Sequence, residues 1–285
     1  MMKRILFPIF LILIWISCTE NPFGGEKKIA DRTISGHVKL DKVDFYPKGY
    51  HNGVLVWSED LGLQATTDID GSFELTLPAS SESSSGAIID GDYTIQFFLG
   101  NYKVSSVTVT FAAGQVVNDE KVINLEGELR RDVSLTRLAG VHTDVYPPVI
   151  SSGFDSDVIT KVQVTPDKTD IYFHLRKVVT RNSSIYTGLL IREADSKKLA
   201  YTVDIDSATI MKEYMDRPSK TLEFIFNYTD VNLPVGIYEV IPYLILDRED
   251  IPQTILNTLS SGYDTFSQSY FQYPFYRTGG QLVVE

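Results

Sequence analysis

Thr67-Asp68-Ile69-Asp70-Gly71-Ser72-Phe73-Glu74-Leu75-Thr76-Leu77-Pro78 decides the fold of the first half of the chain. Asp68 to Gly71 reads as a turn, because Asp side chains accept nearby backbone N–H bonds and Gly supplies positive φ without steric cost. After the turn, Phe73, Leu75 and Leu77 alternate with Glu74 and Thr76, the period of a strand with one buried face. Gln64-Ala65-Thr66-Thr67 leads into the turn. Two strands joined across Asp-Gly predict a hairpin.

The same rhythm extends to both sides. Ile34-Ser35-Gly36-His37-Val38-Lys39-Leu40 alternates, and Gly53-Val54-Leu55-Val56-Trp57 is a run of β-formers. Tyr93, Ile95 and Phe97 share one face of a third alternating segment, as do Val107, Val109 and Phe111 of a fourth. Val122-Ile123-Asn124-Leu125 and Arg131-Asp132-Val133-Ser134-Leu135 complete the set, and residues 79–86 form a serine-rich loop. Seven or eight short strands in about a hundred residues predict a β-sandwich.

These residues carry a resemblance. Ser35-Gly36-His37-Val38, Gly53-Val54-Leu55-Val56, Thr67-Asp68-Ile69-Asp70-Gly71-Ser72-Phe73, Gly91-Asp92-Tyr93 and Gly100-Asn101-Tyr102, in that order, resemble the carboxypeptidase regulatory-like (transthyretin-like) domain across residues 33–137. The segment 45–52 and the serine-rich insert depart from the family pattern. The resemblance implies a seven-stranded prealbumin-like sandwich without peptidase residues, used as a spacer or docking module.

The N-terminus reads as an address. Lys3 and Arg4 precede an almost wholly apolar run over residues 5–16, interrupted only by Pro8. The run is too short for a membrane-spanning helix, which needs about 20 apolar residues, and has the layout of a secretory leader. Ile14-Trp15-Ile16-Ser17-Cys18 resembles a bacterial lipobox; Ser17 fits, and Trp15 and Ile16 are atypical. That resemblance implies cleavage after residue 17 and acylation of Cys18, the chain's only cysteine. A plain leader with an incidental cysteine is the competing reading. Two or three acyl chains give a stable membrane anchor. Thr19, where Asp would retain a lipoprotein in the inner membrane, implies the outer membrane by resemblance to the sorting rule of two-membraned bacteria. Residues 18–32 read as a flexible lipidated tether containing Pro22, Gly24 and Gly25.

Residues 138–148, with Gly140 and Pro147-Pro148, read as a stiff linker with the domain boundary near Asp144. Tyr146-Pro147-Pro148-Val149-Ile150 resembles the lead-in to a bacterial immunoglobulin-like domain, and residues 149–285 are expected to form that second sandwich. Its strand candidates are residues 161–165, 170–175, 187–191, 198–205, 222–228 and 237–246. Residues 207–216 are the best helix candidate, with Ile210, Met211, Tyr214 and Met215 at helical spacing. Tyr238 follows a turn at the start of a late strand and resembles a tyrosine corner.

Composition sets the outer limits. The chain has 285 residues, 43% of them hydrophobic, enough for two small cores. Formal net charge is −11, and loss of Lys3 and Arg4 with the leader makes the mature chain more acidic still. Such a surface repels nucleic acid. With one cysteine, no internal disulfide can form.

No catalytic pattern emerges. His37, His51, His142 and His174 lie apart, without metal-ligand spacing. The sequence has no H-E-x-x-H, G-x-S-x-G, Walker or dinucleotide motif, and its thiol is at the lipidation site. Asp68-Ile69-Asp70-Gly71 starts like a calcium loop, but Ala79 stands where the twelfth-position Glu belongs. Asp155 and Asp157, just past the linker, raise calcium bridging at the junction as a hypothesis, and Asp247-Arg248-Glu249-Asp250 is a similar acidic group.

Tyr263-Asp264-Thr265-Phe266-Ser267-Gln268-Ser269-Tyr270-Phe271-Gln272-Tyr273-Pro274-Phe275-Tyr276 holds seven aromatic residues in fourteen. As a strand it puts Phe271, Tyr273 and Phe275 on one face, and Tyr270 and Tyr276 on the other. One reading fills a core and packs a strand edge. The other makes Tyr263, Tyr270, Tyr273 and Tyr276 a contact surface for sugars or a protein partner. The expectation is an all-β, non-enzymatic, cofactor-free envelope lipoprotein of two tandem Greek-key or prealbumin-like sandwiches. It would serve as a structural or protein-docking module or, alternatively, bind surface glycans through the aromatic stretch.

Overall fold

The computed structural model describes residues 32–43, 50–77, 90–113 and 115–285. The leader, Cys18, almost all of the tether and the serine-rich loop lie outside the described residues.

The first half contributes β1 (Arg32–Leu40), β2 (Leu55–Ser58), β3 (Leu63–Thr66), β4 (Ser72–Leu77), β5 (Gly91–Phe98), β6 (Ser105–Ala112), β7 (Gln115–Val116) and β8 (Val133–Leu135). They form two sheets, ordered β4-β1-β8 and β3-β2-β5-β6-β7. The alternation read from sequence is the core: Phe73, Leu75, Leu77, Ile95, Phe97, Val109 and Phe111 are buried together. Burying each such side chain contributes roughly 1.5–3 kcal/mol.

The Asp68–Gly71 turn is real, but the hairpin is not. β3 pairs with β2 and β4 pairs with β1, so the turn carries the chain from one sheet to the other. Asp68 and Asp70 both accept from the Ser72 N–H, at 2.8 and 2.9 Å. Gly71 has φ +91°, and a Cβ there would lie 2.2 Å from the Val38 carbonyl of β1. The Thr67 hydroxyl accepts from Val54 N and donates to His51 O, which pins the other arm. The turn is pressed against β1, and this directs β4 onto that strand.

The second half contributes β9 (Ala139–Tyr146), β10 (Val149–Ile150), β11 (Asp157–Pro166), β12 (Tyr172–Val179), β13 (Ser184–Thr187), β14 (Leu189–Glu193), β15 (Leu199–Val203), β16 (Thr209–Tyr214), β17 (Lys220–Asn227), β18 (Gly236–Pro242), β19 (Leu244–Leu246), β20 (Thr278–Gly279) and β21 (Gln281–Val284). Three sheets result: β10-β21-β18-β14-β15, β17-β11-β9-β20, and β13-β12-β16 with β19 also on β12. They enclose a second core that includes Val162, Phe173, Leu175, Leu222 and Phe224. Both halves are β-sandwiches, as the strand patterns indicate.

Two expectations change. Residues 139–146 are not linker: β9 pairs with β11 along its whole length and buries Ala139, Val141, Thr143 and Val145. The prolines and Gly140 masked that alternation. Residues 207–216 are not a helix. Thr209–Tyr214 is a strand paired with Tyr172–Lys177, and Ile210, Met211 and Tyr214 are exposed. Cross-strand pairing with β12 overrides a weak helical period. The tyrosine corner is present: Tyr238 is buried, and its hydroxyl donates to Pro234 O at 2.8 Å.

Candidate functional site

The aromatic stretch forms no strand. Gln268–Gln272 is a 3-10 helix capped by the Ser267 hydroxyl, and the rest is irregular. Its rings pack with residues of both domains: Leu55 and Phe98 from the first, and Leu190, Ile241, Tyr243 and Ile255 from the second. Tyr273 stacks on Tyr263 with centroids 5.7 Å apart and meets Phe98 edge-on at 6.0 Å. Tyr270 is fully buried, and its hydroxyl donates to Leu244 O at 2.7 Å. Tyr273 is 4% exposed.

The expectation of exposed contact tyrosines is therefore corrected for Tyr270 and Tyr273, which the domain junction encloses. Tyr263 and Tyr276 are half-buried at its margins. Burial raises the phenol pKa of Tyr273, Tyr243 and Tyr263, so all three stay neutral over the physiological range.

Gly100-Asn101-Tyr102 receives this stretch. Gly100 N donates to Pro274 O at 2.6 Å, and a Cβ on Gly100 would lie 2.6 Å from the Tyr273 ring. The buried Asn101 amide donates to Tyr276 O at 2.9 Å and accepts from Tyr276 N at 3.0 Å, in place of a neighbouring strand. It also donates to Ala139 O at 2.9 Å. Arg248 crosses in the opposite direction. Its Nη1 lies 2.6 Å from Tyr102 O and 3.0 Å from Gly100 O, while Asp250 takes its other edge through two 2.8 Å bonds.

A second seam is ionic. Arg137 Nε donates to Asp167 at 2.7 Å, Lys42 Nζ donates to the same carboxylate at 2.6 Å, and Arg137 Nη1 donates to Lys42 O at 2.6 Å. Burial alone would raise the Asp167 carboxyl, but the Arg137 and Lys42 hydrogen bonds outweigh it and hold the pKa below its ordinary value.

Beside the aromatic seam opens a cleft of about 990 Å³ between the domains. The edge strand β3, the β14–β15 turn and the end of the aromatic stretch line it. Its charged residues are Arg192, Lys197, Arg277 and Glu239. Glu239 is taken by two of them, Arg192 at 2.5 Å and Lys197 at 2.8 Å, and these bonds lower its pKa against the opposing effect of burial. Arg277 stacks over Tyr270 and Phe275, at 5.3 and 4.9 Å, and donates once, to the Tyr270 hydroxyl at 3.2 Å. It has no carboxylate partner among the described residues.

Other titratable groups are held in local structure. His51 Nδ1 accepts from Leu40 N, His37 meets Ser72, His142 meets Thr278 and Asp144, and His174 meets Asp247. Hydrogen bonding with Asp68 and Ser72 keeps the Asp70 carboxyl far below its ordinary range. Asp157 accepts from Asn227. Among the described residues, no three His, Cys, Asp or Glu side chains are grouped to hold a metal. Cys18 lies outside the described residues. Sequence reading missed Arg248, Asn101, Arg277 and the Arg137–Asp167 pair. The visible signals were Arg248, a lone cation among the carboxylates directly after a strand, and Asn101 inside the Gly100-Asn101-Tyr102 motif, neither of which named its partner.

No family model and no curated protein matches this chain. In structure it is similar to a DUF3823 family protein from Bacteroides ovatus, at 10% identity and TM-score 0.31, over 78% of this chain and 97% of that one. It is also similar to a type II cohesin–X-dockerin complex from Acetivibrio cellulolyticus, at 19% identity and TM-score 0.24, over 36% of this chain and 56% of that one. The major pilin subunit of Bacillus cereus gives 10% identity and TM-score 0.27, over 73% of this chain and 63% of the pilin chain.

Proposed function

We propose that this chain is a non-enzymatic, lipid-anchored cell-envelope protein whose two sandwiches, fixed to each other, act as a structural or protein-docking module. The observation that carries the reading is the use made of the aromatic stretch. Most of its rings, with Arg248 and Asn101, lock one domain to the other, which preorganises a cleft between them at no further ordering cost. Cys18 would supply the anchor, the tether the reach, and the outer membrane the location. The first domain would play the spacer role implied by its carboxypeptidase regulatory-like motifs.

The test is direct. In a two-membraned bacterial host, the wild-type chain should take up a palmitate label and stay with the outer-membrane fraction. Cys18→Ser should lose the label and leave the membrane, and an unlabelled wild type sinks the anchor. Cross-linking in intact cells should then join the wild type to a discrete envelope protein, and its absence sinks the docking role. A glycan-binding reading keeps one foothold, the half-buried Phe271, Phe275 and Tyr276 rings lining the cleft. Retention on a glycan array would favour it.

A further inference from the structure

We infer that the interdomain cleft takes an acidic, extended segment of a partner protein, with Arg277 gripping a carboxylate and the segment lying along the free edge of β3. This rests on the docking reading and names the partner's chemistry.

The first support is charge. The chain as a whole carries −11, yet the cleft wall holds three cations against one carboxylate. Arg192 and Lys197 share that carboxylate, and Arg277 is left over. Of its five N–H donors one is used, and the others have no acceptor among the described residues. A guanidinium stacked on rings is weakly hydrated and rigidly held, so little is lost when it forks onto a carboxylate. The acidic surface elsewhere repels such a segment, which confines it to the cleft.

The second support is the wall opposite. β3 ends its sheet: β2 pairs with one side, and no strand among the described residues hydrogen-bonds to the other. Gln64, Ala65 and Thr66 all line the cleft. Consecutive strand residues point to opposite faces, so a cavity touching all three reaches the strand's edge, and it continues past the strand's end to Leu55 of β2. An edge offers unpaired N–H and C=O groups to an added strand.

The probe is a fluorescein-labelled peptide of alternating Val and Glu, titrated into the full mature chain and followed by anisotropy. Binding should weaken with salt, disappear for the Gln-for-Glu peptide, and fall about tenfold in Arg277→Gln. Arg277→Lys should recover it only in part, since a point charge replaces a fork. Lys197→Gln should cost less, because that side chain is 55% exposed. A melting point matching wild type certifies each variant as folded. N-methylation at alternate peptide nitrogens should abolish binding. Equal affinity for the Gln peptide, or no effect of Arg277→Gln, overturns the inference. Indifference to N-methylation removes the edge. Displacement of the probe by trigalacturonate at lower concentration makes the ligand an acidic sugar and overturns the peptide. The two readings fail separately: probe binding without cross-linked envelope protein defeats docking, and cross-linking that survives in Arg277→Gln without probe binding defeats only the cleft.

Discussion

Two seams join the domains, and they are made of opposite chemistry. Around Tyr273 the contact is mainly aromatic: neutral rings, backbone carbonyls, Arg248 with its charge shared between those carbonyls and Asp250, and Arg277 stacked on two of the rings. Around Asp167 it is ionic: one carboxylate between Arg137 and Lys42. Burial acts on both and moves their titrations apart. It raises the tyrosines, while Asp167, despite burial, is held low by its cations. The aromatic seam should therefore fail in alkali and the ionic seam in acid. Tyr273, with its folded pKa raised, contributes stability that is complete below the ordinary tyrosine value of 10.0 and is lost as pH rises past it. Asp167, with its folded pKa depressed, contributes stability that is complete above the ordinary carboxylate value of 3.8 and is lost as pH falls below it.

Tyr273→Ala breaks the comparison from the aromatic side and has the largest expected effect. Deleting a buried aromatic costs about 3–5 kcal/mol, because the space cannot collapse fully. Phe98 and Tyr263 each lose a ring contact, and Gly100 loses the ring packed against it. Calorimetry should show one cooperative transition becoming two as the domains uncouple. A single transition displaced by less than a degree or two would mean that the ring only fills space at a margin.

How much of this was legible from sequence differs along the same lines. The sandwich cores were, because a strand buried on one face writes its burial as a period of two, as in Phe73, Leu75 and Leu77. The aromatic stretch was not. Tyr270 and Tyr273 are enclosed while the other rings are half-buried, an order that follows no strand or helix period. The group that receives it, Asn101, lies 175 residues from Tyr276. Gly100-Asn101-Tyr102 stood out as a motif, but a motif does not say which distant backbone an amide will pair. The hairpin expected at Asp68–Gly71 failed for a related reason. Turn chemistry fixes the local bend, while the partner of each arm depends on a third strand.

Asp167→Asn tests the ionic side, with an intermediate effect. It leaves Arg137, 5% exposed, facing a neutral amide, and should cost about 1–3 kcal/mol at neutral pH. The difference in stability between wild type and variant should shrink as pH falls through the ordinary carboxylate range and below it, since protonated Asp167 resembles the amide. Chemical denaturation of both proteins across that range checks the sign. A difference that grows in acid would refute the assignment. Loss of stability above pH 10.0 should be the same in both, because it belongs to the tyrosines.

Lys42→Ala is the smallest change and the most discriminating. Its side chain is 54% exposed, so its bond to Asp167 is worth only ~0.2–1 kcal/mol and should fade with added salt. Arg137 makes the other contact to the same carboxylate from a buried position. The ionic seam therefore has a wet half and a dry half. If the dry half does the holding, a double-mutant cycle between Lys42 and Asp167 returns a small coupling that salt removes. The cycle between Arg137 and Asp167 then returns a larger one that salt leaves almost intact. Equal couplings would mean that water reaches Asp167 throughout, and the aromatic seam would then be the only dry contact between the domains.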